Sequence, residues 1–152
     1  MTAYYLDTSA LVKRYVSENG AAWIVRLVDD TDNDVYTVRL TGPEMIAAFF
    51  RKARTGDVSR ADAESAAQNF RADWQEQYQI VEVTATVADG AMNLAEKHGL
   101  RGYDSVHLAA ALALQEERQA LELPPLIFIS SDQQQLSAAA AEGLAIEDPN
   151  QH

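Results

Sequence analysis

Apolar positions in this chain follow two periods that alternate from end to end. Short runs rich in β-branched and aromatic residues predict strands: AYYL at 3–6, VYTV at 35–38, IVEV at 80–83, LIFIS at 126–130 and LAIED at 144–148. Between them the apolar residues recur at helical spacing. Thr8 or Ser9 can cap a helix carrying Leu11, Val12 and Tyr15, and Ala22, Ile24, Val25 and Val28 mark a second. TGPEMIAAFFRKARTG has a possible cap at Thr41, Pro43 near the first turn and a stop at Gly56. SRADAESAAQNFRADWQEQY, opened by Ser59, reads as a more exposed helix, and TATVADGAMNLAEKHG as one stopped by Gly99. LRGYDSVHLAAALAL, a break at Pro124-Pro125, and DQQQLSAAAAEG complete the series. Four or five strands alternating with helices predict an α/β fold, a mostly parallel sheet covered on both faces with right-handed crossovers.

The length, 152 residues, predicts one domain over 1–152 with a core of ordinary size. Cysteine is absent, which excludes disulfides and thiolate zinc sites and fits a reducing cytoplasm. The N-terminus meets an acid at position 7, and no window approaches the roughly 18 apolar residues of a membrane span, so a soluble protein without membrane attachment is expected. A net charge of −11, from 23 acids against 12 bases, argues against non-specific polyanion binding and makes a basic protein partner plausible.

Four acids fall where predicted strands end or helices begin. Asp7 follows the first strand, Asp132 follows LIFISS, Glu44 sits in the first turn after VYTV, and Asp104 opens the helix that includes Val106–Leu114. In parallel sheets ligands bind beyond the carboxyl ends of the strands, so the alternation brings these acids to one edge. Singly, each has a simpler role as a helix cap or a partner of the helix dipole. His107 is the one polar side chain in an otherwise apolar run, which predicts a buried helix with Asp104 at its mouth. Carboxylates converging there repel one another unless a dication lies between them. Oxygen ligands without Cys or paired His suit Mg²⁺ or Mn²⁺, and such an ion suits phosphodiester hydrolysis. His107 itself reads as a core residue or one behind the ligands, and Phe49, Phe50, Trp23 and Trp74 read as packing.

LDTSALVKRY, LTGPEMIAAFFRKARTG, LRGYDSVHLAAALAL and ISSDQQQLSAAAAEGL resemble, in order and spacing, the four acidic motifs of PIN-domain ribonucleases, most closely the VapC-type toxins of toxin–antitoxin pairs. The resemblance covers nearly the whole chain. It implies a PIN-like three-layer sandwich with a four- to five-stranded central sheet, a metal-ligating and catalytic quartet of Asp7, Glu44, Asp104 and Asp132, and hydroxyls at Ser9 and Ser130 beside it. It further implies Mg²⁺- or Mn²⁺-dependent cleavage of an RNA substrate, a homodimer, and inhibition by a cognate VapB-like antitoxin whose helix covers an apolar groove near Phe49 and Phe50. Where the family often has a basic residue after the last acid, this chain has Gln133. Bases in or near the motifs, Lys13, Arg14 and Arg39 first among them, with Arg51, Lys52, Arg54 and Arg101, are candidate RNA contacts.

Two other Asp-bearing α/β folds fit poorly. A haloacid-dehalogenase phosphatase needs a second acid where Ser9 stands, and a receiver domain needs an acidic pair and a late lysine that are missing. The non-enzymatic alternative is an acidic interaction module of the same fold, separated from a nuclease by metal-dependent RNA cleavage.

Overall fold

The computed structural model describes residues 1–152. Five strands, β1 (Thr2–Leu6), β2 (Asn33–Val38), β3 (Gln79–Val81), β4 (Ile127–Ile129) and β5 (Ala145–Glu147), form one sheet in the order β3-β2-β1-β4-β5. Every pairing is parallel, as the alternation predicts. The helices are α1 (Thr8–Leu11), α2 (Ala21–Asp29), α3 (Thr41–Arg54), α4 (Arg60–Glu76), α5 (Ala85–His98), α6 (Gly102–Ala120) and α7 (Gln133–Ala141).

The strands alternate their side chains between two cores, which makes the fold three-layered. Ala3 and Tyr5 of β1 and Phe128 of β4 join buried residues of α5, α6 and α7 on one face. Leu6 and Ile129 join α1, α2, α3 and α4 on the other. The Tyr5 and Phe128 rings stack with centroids 5.4 Å apart, locking neighbouring strands side by side. Helix α6 lies between sheet and solvent with its 107–111 stretch buried, so the apolar run containing His107 is a central helix as predicted. In α4 only Ala63, Ala66, Ala67 and Phe70 are buried, the single-faced helix its polar composition predicts.

Local chemistry departs from expectation at three points. Asp7, not Thr8 or Ser9, caps α1, and that helix gives way after Leu11 to a 3₁₀ turn over Val12–Arg14. Thr41 is the first residue of α3 rather than its cap, because its hydroxyl is already paired at 2.7 Å with that of Thr37 on β2. Phe49 is fully buried in the second core and Phe50 has the Arg60 guanidinium 5.2 Å from its ring centroid, so these two rings do not line an open groove.

The chain runs outward from β1 to β2 and β3 on one side and reaches β4 and β5 on the other. The order therefore reverses between β1 and β4, where a parallel sheet opens a crevice at its carboxyl edge. The Asp7 amide donates to the Ile129 carbonyl at 3.2 Å, closing the strands just below that crevice.

Candidate active site

Asp7, Glu44, Asp104 and Asp132 all line one cleft of about 770 Å³ at this edge, although 125 residues of sequence separate the first from the last (132 − 7). Asp7 stands immediately after β1 and Asp132 shortly after β4; Glu44 and Asp104 sit in the first turns of α3 and α6. Thr8, Ser9 and His107 line the same cleft, with Arg51 and Lys52 of α3 and Arg101 and Tyr103 at the opening of α6.

One oxygen of each of three acids is committed to the fold. Asp7 Oδ1 accepts the Ser9 hydroxyl at 2.6 Å and the Ala10 amide at 3.1 Å. Asp132 Oδ1 accepts the amides of Gln134 and Gln135 at the start of α7. Glu44 Oε1 accepts the Thr8 hydroxyl at 2.9 Å and lies 2.8 Å from His107 Nε2. The carboxylates are thereby oriented, while Glu44 Oε2 takes no hydrogen bond from the protein and Asp132 Oδ2 meets only Arg101, at 3.9 Å.

Ser9 and Ser130 sit together behind this arrangement, their hydroxyls 3.3 Å apart. Ser9 Oγ also accepts the Ser131 amide and Ser130 Oγ the Asp132 amide, so the pair ties the end of β1 to the end of β4.

Burial pushes the Asp7 carboxyl above its ordinary value, opposed by His107, by the Ser130 and Ser9 hydroxyls and by the Ala10 amide. Burial also raises Asp104, and the charges of Asp7 and Asp132 raise it further against Arg101 and His107. Like charges are therefore close enough to resist joint ionisation. No three acidic or imidazole side chains are already drawn around one point as a finished ligand set, a looser arrangement than a closed carboxylate cage. Outward-facing oxygens on oriented carboxylates fit an ion that keeps most of its waters and takes only one or two carboxylates directly.

Behind the acids stand two further side chains, of which the sequence pointed to His107 but not to Tyr5. His107, fully buried, holds Glu44 through Nε2 and meets the Tyr5 hydroxyl through Nδ1 at 2.9 Å. Tyr5 is held protonated by burial and by the charges of Asp7 and Glu44. The imidazole thus bridges the Tyr5 phenol and the Glu44 carboxylate, one ring nitrogen to each. Tyr5 carries no sequence signal beyond its place in an apolar strand. His107 does carry one, as a polar residue three positions after Asp104 in an apolar helix.

The bases put forward as RNA contacts divide: Arg51, Lys52 and Arg101 line the cleft, while Lys13, Arg14 and Arg39 lie elsewhere. Lys13 is buried, 4% exposed, and 3.4 Å from Glu18; Arg14 pairs with Asp29 at 2.8 Å; Arg39 forks onto Glu82. None of the three lines the cleft, whose bases are Arg51, Lys52 and Arg101.

A family model described as PIN domain matches residues 4–141. Ribonuclease VapC45 of Mycobacterium tuberculosis (strain CDC 1551 / Oshkosh) is 39% identical over 114 residues, covering 75% of this chain and 78% of that protein. Among solved structures, PAE2754 from Pyrobaculum aerophilum superposes with a TM-score of 0.67 at 19% identity, over 99% of this chain and 91% of that one. VapBC-5 from Mycobacterium tuberculosis, a member of the VapBC family of toxin-antitoxin systems, superposes with a TM-score of 0.52 at 19% identity, over 97% and 98% of the two chains. The parallel sheet, the acids at its carboxyl edge and a family match spanning most of the sequence agree: the chain belongs to the PIN domain family and, within it, to the VapC-type ribonucleases.

Proposed function

We propose that this protein is a metal-dependent endoribonuclease, the toxin of a VapBC-type toxin–antitoxin pair, in which Asp7, Glu44, Asp104 and Asp132 hold Mg²⁺ or Mn²⁺ directly or through water. The observation that carries the reading is the shared cleft at the switch point of the sheet, with one oxygen of Asp7, Glu44 and Asp132 fixed by the protein. When bound, such an ion supplies charge against the phosphate and makes water nucleophilic at neutral pH.

The protein's own residues orient and position. Ser9 and the Ala10 amide fix Asp7, and Thr8 with His107 fixes Glu44. The amides of α7 fix Asp132 while that acid caps the helix. Arg51 and Lys52, on the α3 wall, line the same cleft and can take backbone phosphates, Lys52 by exchanging its 3.3 Å ion pair with Glu18. Tyr103, 61% exposed at the rim, offers a ring on which an unstacked base can lie. Water activated against an in-line phosphate leaves no obligatory role for a protein general base.

The partner we infer is a basic antitoxin segment. A second groove between α3 and α4, lined by Pro43, Ile46, Ala47, Phe70 and Trp74 among others, shares Pro43 and Ala47 with the acid cleft. An amphipathic helix laid there would carry its following basic residues over the quartet. The family resemblance also implies a homodimer, which sedimentation measures.

The deciding experiment is cleavage of cellular RNA by wild type and Asp7→Asn, with Mg²⁺ or Mn²⁺ and with chelator, followed by mapping of the cut ends. Cleavage by wild type alone, and only with metal, is expected. Cleavage that persists in chelator would refute the metal assignment, and a folded wild type that cuts no RNA would leave an interaction module of the PIN fold.

A further inference from the structure

Arg101 is the only arginine or lysine in ion-pair contact with any of the four acids. Its Nε is 3.6 Å from Asp104 Oδ2 and its Nη2 is 3.9 Å from Asp132 Oδ2. Both distances exceed the roughly 2.7–2.9 Å of a charge-assisted hydrogen bond. Arg14, by contrast, closes on Asp29 at 2.8 Å. The guanidinium thus lies loosely across two acids at once.

Its backbone is fixed while its side chain is free. Gly99 ends α5 in the left-handed region at φ +66°, Leu100 is buried in the core, and the Arg101 carbonyl accepts the Ser105 amide at 2.9 Å. The side chain itself is 85% exposed. A long arm on a rigid base can exchange partners without moving the fold.

The oxygens under Arg101 are the ones a metal needs. Asp132 has spent Oδ1 on the α7 amides, so Oδ2 is its remaining oxygen for the cleft. A dication arriving there repels the guanidinium, and arginine cannot yield by losing its proton. It must move, and the planar fork it carries matches a phosphate.

We propose, resting on the ribonuclease reading above, that Arg101 is a swinging counter-ion: it lies across Asp104 and Asp132 when no dication is bound, and passes to a backbone phosphate of the RNA when one is. Metal and RNA then bind cooperatively through one side chain, and by linkage each raises the affinity for the other.

The test is Mn²⁺ binding by calorimetry, without RNA, to wild type, Arg101→Met and Arg101→Lys, with folding of each checked by circular dichroism. Removing the competing charge should tighten Mn²⁺ binding by roughly three- to tenfold in Arg101→Met. Arg101→Lys, which keeps the charge, should bind Mn²⁺ as wild type does. In parallel, anisotropy of a labelled single-stranded RNA, recovered intact afterwards, is read with and without Mn²⁺. The metal should raise RNA affinity in wild type and lose most of that effect in Arg101→Met, whose salt slope should fall by about 0.7 for one lost phosphate contact. Unchanged or weaker Mn²⁺ binding by a folded Arg101→Met, or equal tightening in Arg101→Lys, overturns the proposal while leaving a wild type that cleaves RNA as a ribonuclease. A wild type that neither binds Mn²⁺ nor cleaves RNA overturns the underlying reading instead.

Discussion

Asp7 is 3% exposed and carries a carboxyl whose affinity for a proton is raised by burial, as is that of Asp104. A carboxyl whose folded value lies above its ordinary 3.8 holds its proton more tightly in the fold than in the unfolded chain. Its contribution to stability is therefore complete below that ordinary value and is lost as pH rises through the raised one. In chelator, the melting temperature of Asp7→Asn and of Asp104→Asn should exceed that of wild type by a few degrees at neutral pH, with the gain disappearing under acid conditions. Asparagine at 7 can still cap α1, so the comparison removes charge without removing the cap. Glu82 and Glu142, lowered by Arg39 and Lys97 respectively, give wild type and variants the same opposite slope, so the difference between the curves is the readout. Both variants should lose RNA cleavage. Tyr5→Phe tests the network behind Glu44: it strips the buried His107 Nδ1 of its partner at a cost of about 1–3 kcal/mol by urea denaturation. It should also lower metal affinity or cleavage by roughly tenfold, the usual effect of losing a group that orients a ligand.

Among the elements, the sharpest contrast is between two glycines with nearly the same φ. Gly20 at φ +81° precedes α2, and a Cβ there would stand 2.2 Å from the Pro149 carbonyl oxygen; Gly56 at φ +84° follows α3 and would meet nothing within 4 Å. Gly56→Ala should therefore cost only the roughly 1–2 kcal/mol of a left-handed residue. Gly20→Ala should cost clearly more, because it also displaces the Pro149–Gln151 turn and with it the face-to-face stack of His152 on Trp23 at 4.0 Å. Urea titration of the two variants separates strain from collision. What sequence reveals divides along a similar line. Strand and helix order was legible because burial imposes periods of 2 and 3.6, and the acid quartet was legible because parallel topology carries strand ends to one edge. Caps were not: Asp7, Thr8 and Ser9 are all competent, and only the bond from Ala10 to Asp7 chooses among them. Nor were pairings across the sequence: Lys13, Arg14 and Arg39 are drawn away to Glu18, Asp29 and Glu82, whereas Arg51 and Lys52 line the cleft even though Lys52 also pairs with Glu18 at 3.3 Å.

For the whole molecule, the problem is an RNA cutter with a net charge of −11. Two opposed effects set how it meets its substrate. The overall field repels RNA, and salt weakens that repulsion. The local bases of the cleft, Arg51, Lys52 and Arg101, attract phosphates and release counterions, and salt weakens that attraction. With three such contacts the attractive part of the slope of log affinity against log salt is about −2 for a single strand, shallow beside that of basic nucleic-acid binders, and the repulsion flattens it further. RNA affinity at fixed Mn²⁺ should accordingly fall by no more than about tenfold for a roughly threefold rise in monovalent salt. Replacing both Arg51 and Lys52 with alanine leaves repulsion nearly unopposed, so the slope should approach zero or turn positive while affinity falls. Anisotropy titrations across a salt series measure both. A wild-type slope far steeper than this would mean that phosphates touch bases beyond the cleft. The same field favours a basic polypeptide at the acid edge, so binding of a basic antitoxin segment, attracted by both the local acids and the overall charge, should weaken more steeply with salt than RNA binding does.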